Sequence, residues 1–401
     1  MKVWHFSEMP YFPAWENGGQ SLRVDIPNRL FDPVIGSDLY NRYLDEWALC
    51  DEIGLNVMVN EHHSTATCMT SVCTIPLGIL ARQTEKCRIL ALGMPIANRQ
   101  EPIRIAEEFS MIDVISRGRL EMGFVKAAPY EIAPANSNPV DLLERFWEAH
   151  DLIKKAMTTT TGPFNWEGKH FHYRQVNIWP RPYQQPLPPI WMTVASSESA
   201  AVAGERGYVV ATLNTGFRTR EIFDAYRRAA SLAGNNSEPD RFAYLALVGV
   251  GRTKEEGYRR AESILGYLRT NPLVASQFGN PPGYNSVAAN IKAMRLGAKG
   301  AIGAHQMIMT RDGRRLDKTT ASVEDCIEAG LLFAGTPDMV FDQIKTFSNH
   351  VGGLGHLLMM GQGGNLSHVE TAANLRLFSA EVLPRLAQLQ VAEAAEGTAA
   401  H

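Results

Sequence analysis

Leu55-Asn56-Val57-Met58-Val59-Asn60-Glu61-His62-His63 is a short apolar run that ends in a carboxamide, a carboxylate and two imidazoles. An apolar run of this length bounded by polar groups reads as a buried strand. Ending it in Glu61 and two histidines makes physical sense where the strand opens into a site at which protons move, because imidazole titrates near neutral pH. The same residues also fit a strand end that merely reaches solvent, and the flanking sequence decides between the two.

Before this stretch, residues 2 to 6 read as a strand, followed by the aromatic loop Met9-Pro10-Tyr11-Phe12-Pro13-Ala14-Trp15. Ser37 and Asp38 are N-cap residues for a helix over 39 to 53, which Gly54 stops. After it come a helix over 71 to 84, a strand over 88 to 95, a helix opened by Pro102 and ended near Gly118, and a strand over 120 to 125. A helix over 140 to 157 leads to a hairpin-like excursion between 164 and 179 and a Pro-dense linker. The alternation resumes with strand 190 to 194, helix 197 to 205, strand 208 to 212, helix 217 to 232, strand 242 to 249 and helix 253 to 268. It closes with a helix from Pro337 to about Asn349, strand 355 to 360 and a last helix over 367 to 390.

Eight strands apolar enough to be covered on both faces, alternating with helices, predict an α/β chain folded as a (β/α)₈ TIM barrel. In that fold functional groups sit at the C-terminal ends of strands, where Glu61, His62 and His63 fall. One barrel over 1–390 is expected, with a tail at 391–401. A lid insertion at about 270–318 follows the seventh strand region and carries seven Lys/Arg against two Asp.

The 401 residues are 45% hydrophobic with a formal net charge of −3, which gives no global reason to bind nucleic acid or membrane. The N-terminus lacks signal-peptide features and no apolar run approaches the roughly 18 residues of a membrane span, so a cytoplasmic location is expected. Cys50, Cys68, Cys73, Cys87 and Cys326 are odd in number and scattered, which reads as packed thiols. His62 and His63 are adjacent on a strand and point to opposite sides, so no shared metal is expected. There is no Walker motif, and Gly249-Val250-Gly251 lacks the rest of a dinucleotide fingerprint. In Thr193-Val194-Ala195-Ser196-Ser197-Glu198-Ser199 a strand passes into a helix through small hydroxyl residues. That arrangement suits a phosphate at the helix N-terminus, and it equally suits plain capping by Ser196 or Ser197.

The chain resembles the bacterial luciferase-like flavin-dependent monooxygenases, most of all the luciferase alpha-subunit branch. The likeness runs through Glu61-His62-His63, the stretches 101–108 and 112–120, Ala195-Ser196-Ser197-Glu198-Ser199, Gly335-Thr336-Pro337 and residues 377–384. It implies a barrel that takes reduced FMN from a separate NAD(P)H-dependent reductase, reacts it with dioxygen and oxidises a small organic substrate through a flavin peroxide. By position it implies His62 and Glu61 as the catalytic pair, with His62 the acid/base. It implies cofactor contacts at Met94, Lys126, Ala195, Ser196, Ser197 and Ser199, and a homodimer packed through early helices. Relatives often carry Cys-Arg-Gly after the fourth strand. Val125-Lys126-Ala127 stands there instead, which argues against light emission from a long-chain aldehyde. Tyr11, Trp15, Tyr130 and Trp191 near the expected mouth suit an apolar or aromatic substrate, and core packing explains each of them at least as well. The alternatives are a deazaflavin-dependent oxidoreductase of the same superfamily and a non-catalytic flavin-binding subunit. Chains of the latter kind tend to lose the histidine that this one keeps.

Overall fold

The computed structural model describes residues 1–16, 21–270, 272–285, 287, 290, 291 and 307–389. Side chains alternate across each strand, and the apolar runs of this chain bury both sets. Trp4, Phe6, Met58, Leu90, Leu92, Leu245, Leu358 and Met360 fill one cluster, while Val3, Val57, Val59, Ile89 and Phe124 pack with the helices in another. That double burial is what a parallel barrel demands.

Eight parallel strands close the ring: β1 (Lys2–Phe6), β2 (Asn56–Val59), β3 (Ile89–Pro95), β4 (Leu120–Val125), β5 (Ile190–Thr193), β6 (Val209–Leu213), β7 (Phe242–Val250) and β8 (His356–Met360). Neighbours pair in sequence order, and the register Lys2↔His356 between β1 and β8 joins the ends. The expected (β/α)₈ barrel is therefore the fold.

The helices facing this ring are α1 (Pro33–Ile53), α2 (Thr74–Gln83), α3 (Pro102–Ile115), α4 (Leu142–Thr158), α5 (Ser197–Glu205), α6 (Thr219–Ala233), α7 (Lys254–Ile264), α8 (Pro337–His350) and α9 (His368–Glu381). The first starts earlier than its expected caps. Asp32, not Ser37 or Asp38, accepts from the amides of Val34 and Ile35, and Pro33 takes the first turn, where no amide is needed. Gly54 ends it in the left-handed conformation that glycine adopts freely.

One strand of the barrel sheet was not foreseen. Leu332–Gly335 pairs with Leu247–Val250, the upper half of β7, on the edge where β6 has already ended against Phe242–Leu245. The expected hairpin is present as Phe164–Glu167 against His172–Val176. The Glu148 carboxylate fixes its turn by accepting from the amides of Lys169, His170 and Phe171.

Much of the expected lid, residues 286, 288, 289 and 292–306, lies outside the described residues, as does the tail from 390. The described part crosses the barrel mouth. Leu273 accepts from the Leu22 amide at 2.9 Å, and the Tyr284 hydroxyl donates to the carbonyl of Ala127 at 2.7 Å. Met307–Met309 and Arg315–Asp317 form a small antiparallel hairpin that the sequence reading left irregular.

Candidate active site

β2 turns Met58 into the barrel and Val57 and Val59 toward the helices, and the residues beyond it continue to diverge. His62 Nδ1 lies 3.1 Å from Glu131 Oε1, and its Nε2 lies 3.8 Å from Glu8 Oε1. His63 turns the other way, with Nε2 3.2 Å from Glu61 Oε1. The two imidazoles thus face different partners, although both lie beyond the end of β2 and not on the strand where they were expected.

Glu61 is 1% exposed and fully engaged. Arg99 Nη2 donates to both of its oxygens, at 2.8 and 2.9 Å, and the Cys73 amide donates at 2.9 Å. Burial pushes its carboxyl up, but the His63 hydrogen bond, the Arg99 charge and the Cys73 amide outweigh this and hold it below the ordinary range. The side chain that shares a motif with His62 is therefore tied to the end of β3 and the start of α2.

The partner of His62 comes from beyond β4. Glu131, in the short turn Pro129–Glu131, accepts from the amides of Ala128 at 2.8 Å and His63 at 3.1 Å as well as facing the imidazole. Burial raises its pKa, but the charge and hydrogen bond of His62 and the Ala128 amide bring it below the usual value. Burial pulls His62 down in turn, while the charge and hydrogen bond of Glu131, with Glu8 beyond, raise it on balance. Glu8 shifts upward, mainly through burial. A carboxylate held ionised beside Nδ1 fixes the proton on that atom and leaves Nε2 as the one that exchanges.

Arg23 completes the cluster, buried beside Glu8 with its guanidinium 4.4 Å from the centre of the Tyr130 ring. Glu8, Arg23 and Glu131 were absent from the sequence reading. Glu8 and Glu131 each follow a barrel strand, which was the available signal, whereas Arg23 lies in a loop without any pattern. Several buried polar atoms here bond to nothing among the described residues: Glu8 Oε2, the Tyr130 hydroxyl, both side-chain ends of Asn98 and Asn214 Oδ1. They follow β1, β4, β3 and β6, so four strands bring unsatisfied polar groups to one end of the barrel, where a polar ligand would satisfy them.

The expected cofactor contacts fall out unevenly. The pairing of β3 with β4 shifts between Ala91 and Met94, and the Met94 side chain, near the C-terminal end of β3, is fully buried in the apolar cluster that includes the helices. Lys126 Nζ donates to the Tyr284 carbonyl at 3.2 Å and lies 3.8 Å from that ring's centre, so the insertion covers it. Burial lowers its pKa. Ser196 caps α5 by accepting from the Ser199 amide at 3.3 Å, and the Ser199 hydroxyl donates back to the Ser196 carbonyl at 3.0 Å. Ala195 and Ser196 are exposed, and Ser197 and Ser199 partly so. Capping is therefore real, and the hydroxyls remain open to solvent at the C-terminal end of β5. Of the expected mouth aromatics, Tyr11 and Tyr130 reach the site. Trp191 points into the barrel instead, edge-on to Trp4 at 5.4 Å, where its pleat position directs it.

Among curated relatives, protein y4wF of Sinorhizobium fredii is 29% identical over 252 residues, covering 60% of this chain and 73% of that one. The oxygenase component of the flavin-dependent trigonelline monooxygenase of Acinetobacter baylyi is 26% identical over 181 residues, covering 45% of this chain and 50% of that one. The match thus spans only half the length of that monooxygenase component. Among solved structures, the oxygenating constituent of 3,6-diketocamphane monooxygenase from Pseudomonas putida, determined with FMN, superposes with a TM-score of 0.70 at 20% identity. That superposition covers 89% of this chain and 95% of the other, and at this identity the likeness shows the fold. The family model of luciferase-like monooxygenases matches residues 35–352, and the chain belongs to that family.

Proposed function

We propose that the chain is the oxygenase of a two-component system, using reduced FMN from a separate NAD(P)H-dependent reductase, and dioxygen, to oxygenate a small organic substrate. The observation that carries this reading is His62, bonded to Glu131 at 3.1 Å and set among buried, unsatisfied polar atoms that follow four strands. Those atoms and the hydroxyl-lined start of α5 fit a polar, phosphate-bearing cofactor. In this reading Ala195, Ser196, Ser197 and Ser199 hold the phosphate, and Lys126 contributes a cation once it exchanges its contact with Tyr284. Reduced FMN, when bound, would supply the two electrons that let dioxygen deliver one oxygen atom to the substrate and release the other as water.

The chain's own residues then have separate tasks. His62 moves a proton at Nε2 while Glu131 holds Nδ1, and Glu61 anchors the strand end through Arg99 rather than reacting. Segment 272–285, tied to Leu22 and Ala127, works as part of a lid that keeps water from the mouth. No described helix is long and apolar enough to cross a membrane. The cytoplasmic location and the homodimer remain part of this proposal.

The test supplies the purified chain with FMN, a flavin reductase and NADH under labelled dioxygen, against a panel of small ketones, aldehydes and arenes. Label appearing in a product is the expected result. Turnover with reduced deazaflavin in the absence of oxygen, and none with FMN, would overturn the assignment.

A further inference from the structure

His62 is a shared wall. Beyond it, away from Glu8 and Glu131, lies a cavity of about 360 Å³ between the loop after β1 and the loop after β2. None of its described lining residues is Asp, Glu, Lys or Arg. A charged ligand would lose its hydration there, and the one imidazole on the described lining, His62, is already paired with Glu131. Its aromatic side is made by Tyr11 and Phe31, whose ring centres are 4.7 Å apart, with Tyr40 beside them. Such faces favour a flat or compact ring.

The cavity's hydrogen-bonding capacity is small and directional. The Tyr40 hydroxyl is committed to the Met69 carbonyl at 2.6 Å. The Tyr11 hydroxyl accepts from the Asp32 amide at 2.8 Å, and no acceptor for its own proton appears among the described residues. That leaves one phenolic proton to offer a ligand oxygen. The size is at the low end of the roughly 300–1,000 Å³ usual for ligand pockets, which suits a compact molecule better than a long chain.

The backbone points the same way. Val24 and Ser64 line the cavity with φ of 63° and 53°, and the Val24 amide donates to the Ser64 carbonyl at 2.6 Å. Left-handed backbone is costly for a β-branched residue and persists where surrounding structure over-determines it, as it does at ligand sites.

We infer that this cavity seats the organic substrate, and that the substrate is a neutral, compact ring compound carrying one hydrogen-bond-accepting oxygen. Its role as the molecule oxidised rests on the oxygenase reading above. The loop from Val24 to Phe31 is then the specificity-determining element, and His62 meets both the substrate and the buried carboxylates.

Calorimetric titration of the full chain without flavin, using indanone, aminoindane and indane carboxylate as matched probes, tests the inference. Indanone is expected to bind at least about tenfold more tightly than either charged analogue, because the charged probes lose hydration and the His62 imidazole is already engaged by Glu131. Ser71→Trp, at an exposed position on the rim, is expected to abolish indanone binding while FMN binding, followed by flavin fluorescence, is retained. Equal affinity for charged and neutral probes, or full indanone affinity in Ser71→Trp, overturns the inference. Failure to bind FMN with indanone selectivity intact sinks the oxygenase reading and leaves the neutral-ring site standing.

Discussion

Replacing Glu61 with glutamine separates an anchoring carboxylate from a reactive imidazole at the end of β2. The wild-type oxygens take two bonds from Arg99 Nη2, one from the Cys73 amide and one from His63. A carboxamide keeps one acceptor but turns an NH₂ toward donors, so a buried pair is broken and a donor is left facing a donor. Breaking a buried ion pair costs about 3–5 kcal/mol, and the lower end applies here because water can reach a guanidinium that is 29% exposed. An unfolding entropy of about 2.1 cal/mol/K per residue gives about 0.8 kcal/mol/K for a chain of this size, so about 3 kcal/mol lowers the melting midpoint by about 4 °C. Calorimetry at one fixed scan rate measures this, since large barrels can unfold irreversibly. His62 is held by Glu131 and not by Glu61, so its titration, followed by the NMR signal of its ring proton, should stay where it is in the wild type. An unchanged midpoint together with a displaced His62 titration would refute the division of labour. His62→Ala is expected to lower the midpoint too, because it leaves the buried Glu131 without its imidazole, but unlike Glu61→Gln it reduces coupled product formation by about 10²-fold, the low end for losing a general acid/base.

Glu131→Gln removes the negative charge that raises the His62 pKa, so the imidazolium should be lost at lower pH than in the wild type. Because the folded value is raised, the stabilisation from this pair is fully present below the ordinary histidine value of 6.5 and lost as pH rises through the folded one. In the variant that loss comes earlier, read from the ring-proton titration and from the midpoint against pH. Ser196→Asp keeps a good N-cap but places a negative charge where the cofactor phosphate is proposed to sit. Affinity for FMN should fall at least about tenfold while affinity for riboflavin, which has no phosphate, holds, since a fixed charge repels only the phosphorylated ligand; equal losses for both would remove the phosphate from this position.

The barrel was readable because its physics is local. Parallel strands buried on both faces must be short continuous apolar runs, and Leu55 to Val59 or Ile89 to Pro95 can hardly be anything else between two helices. Leu332–Gly335 has similar composition but pairs only because β6 stops at Leu213 and leaves the upper edge of β7 open, a fact about the sheet and not about those four residues. The start of α1 was missed for a different reason. Asp32-Pro33 is a stronger start signal than Ser37-Asp38, but the buried apolar side chains recur at helical spacing only from Leu39 onward, beyond the later pair.

The site divides along the same line. That the end of β2 matters could be seen from Glu61, His62 and His63 alone, but what each does could not, because a side chain's role is set by what closes on it in three dimensions. His62 finds its carboxylate 69 residues away, after β4, and Glu61 finds its cation after β3. Within the motif the carboxylate nearest His62 in sequence is thus the one unable to serve it. Barrel closure, which brings the ends of β1, β2 and β4 onto one rim, selects Glu131 instead. The same closure leaves His62 between a buried carboxylate pair, to which both ring nitrogens turn, and a cavity whose described lining has no Asp, Glu, Lys or Arg. A neutral molecule in that cavity would leave the pairing of His62 with its carboxylates undisturbed, whereas a charged one would compete with it.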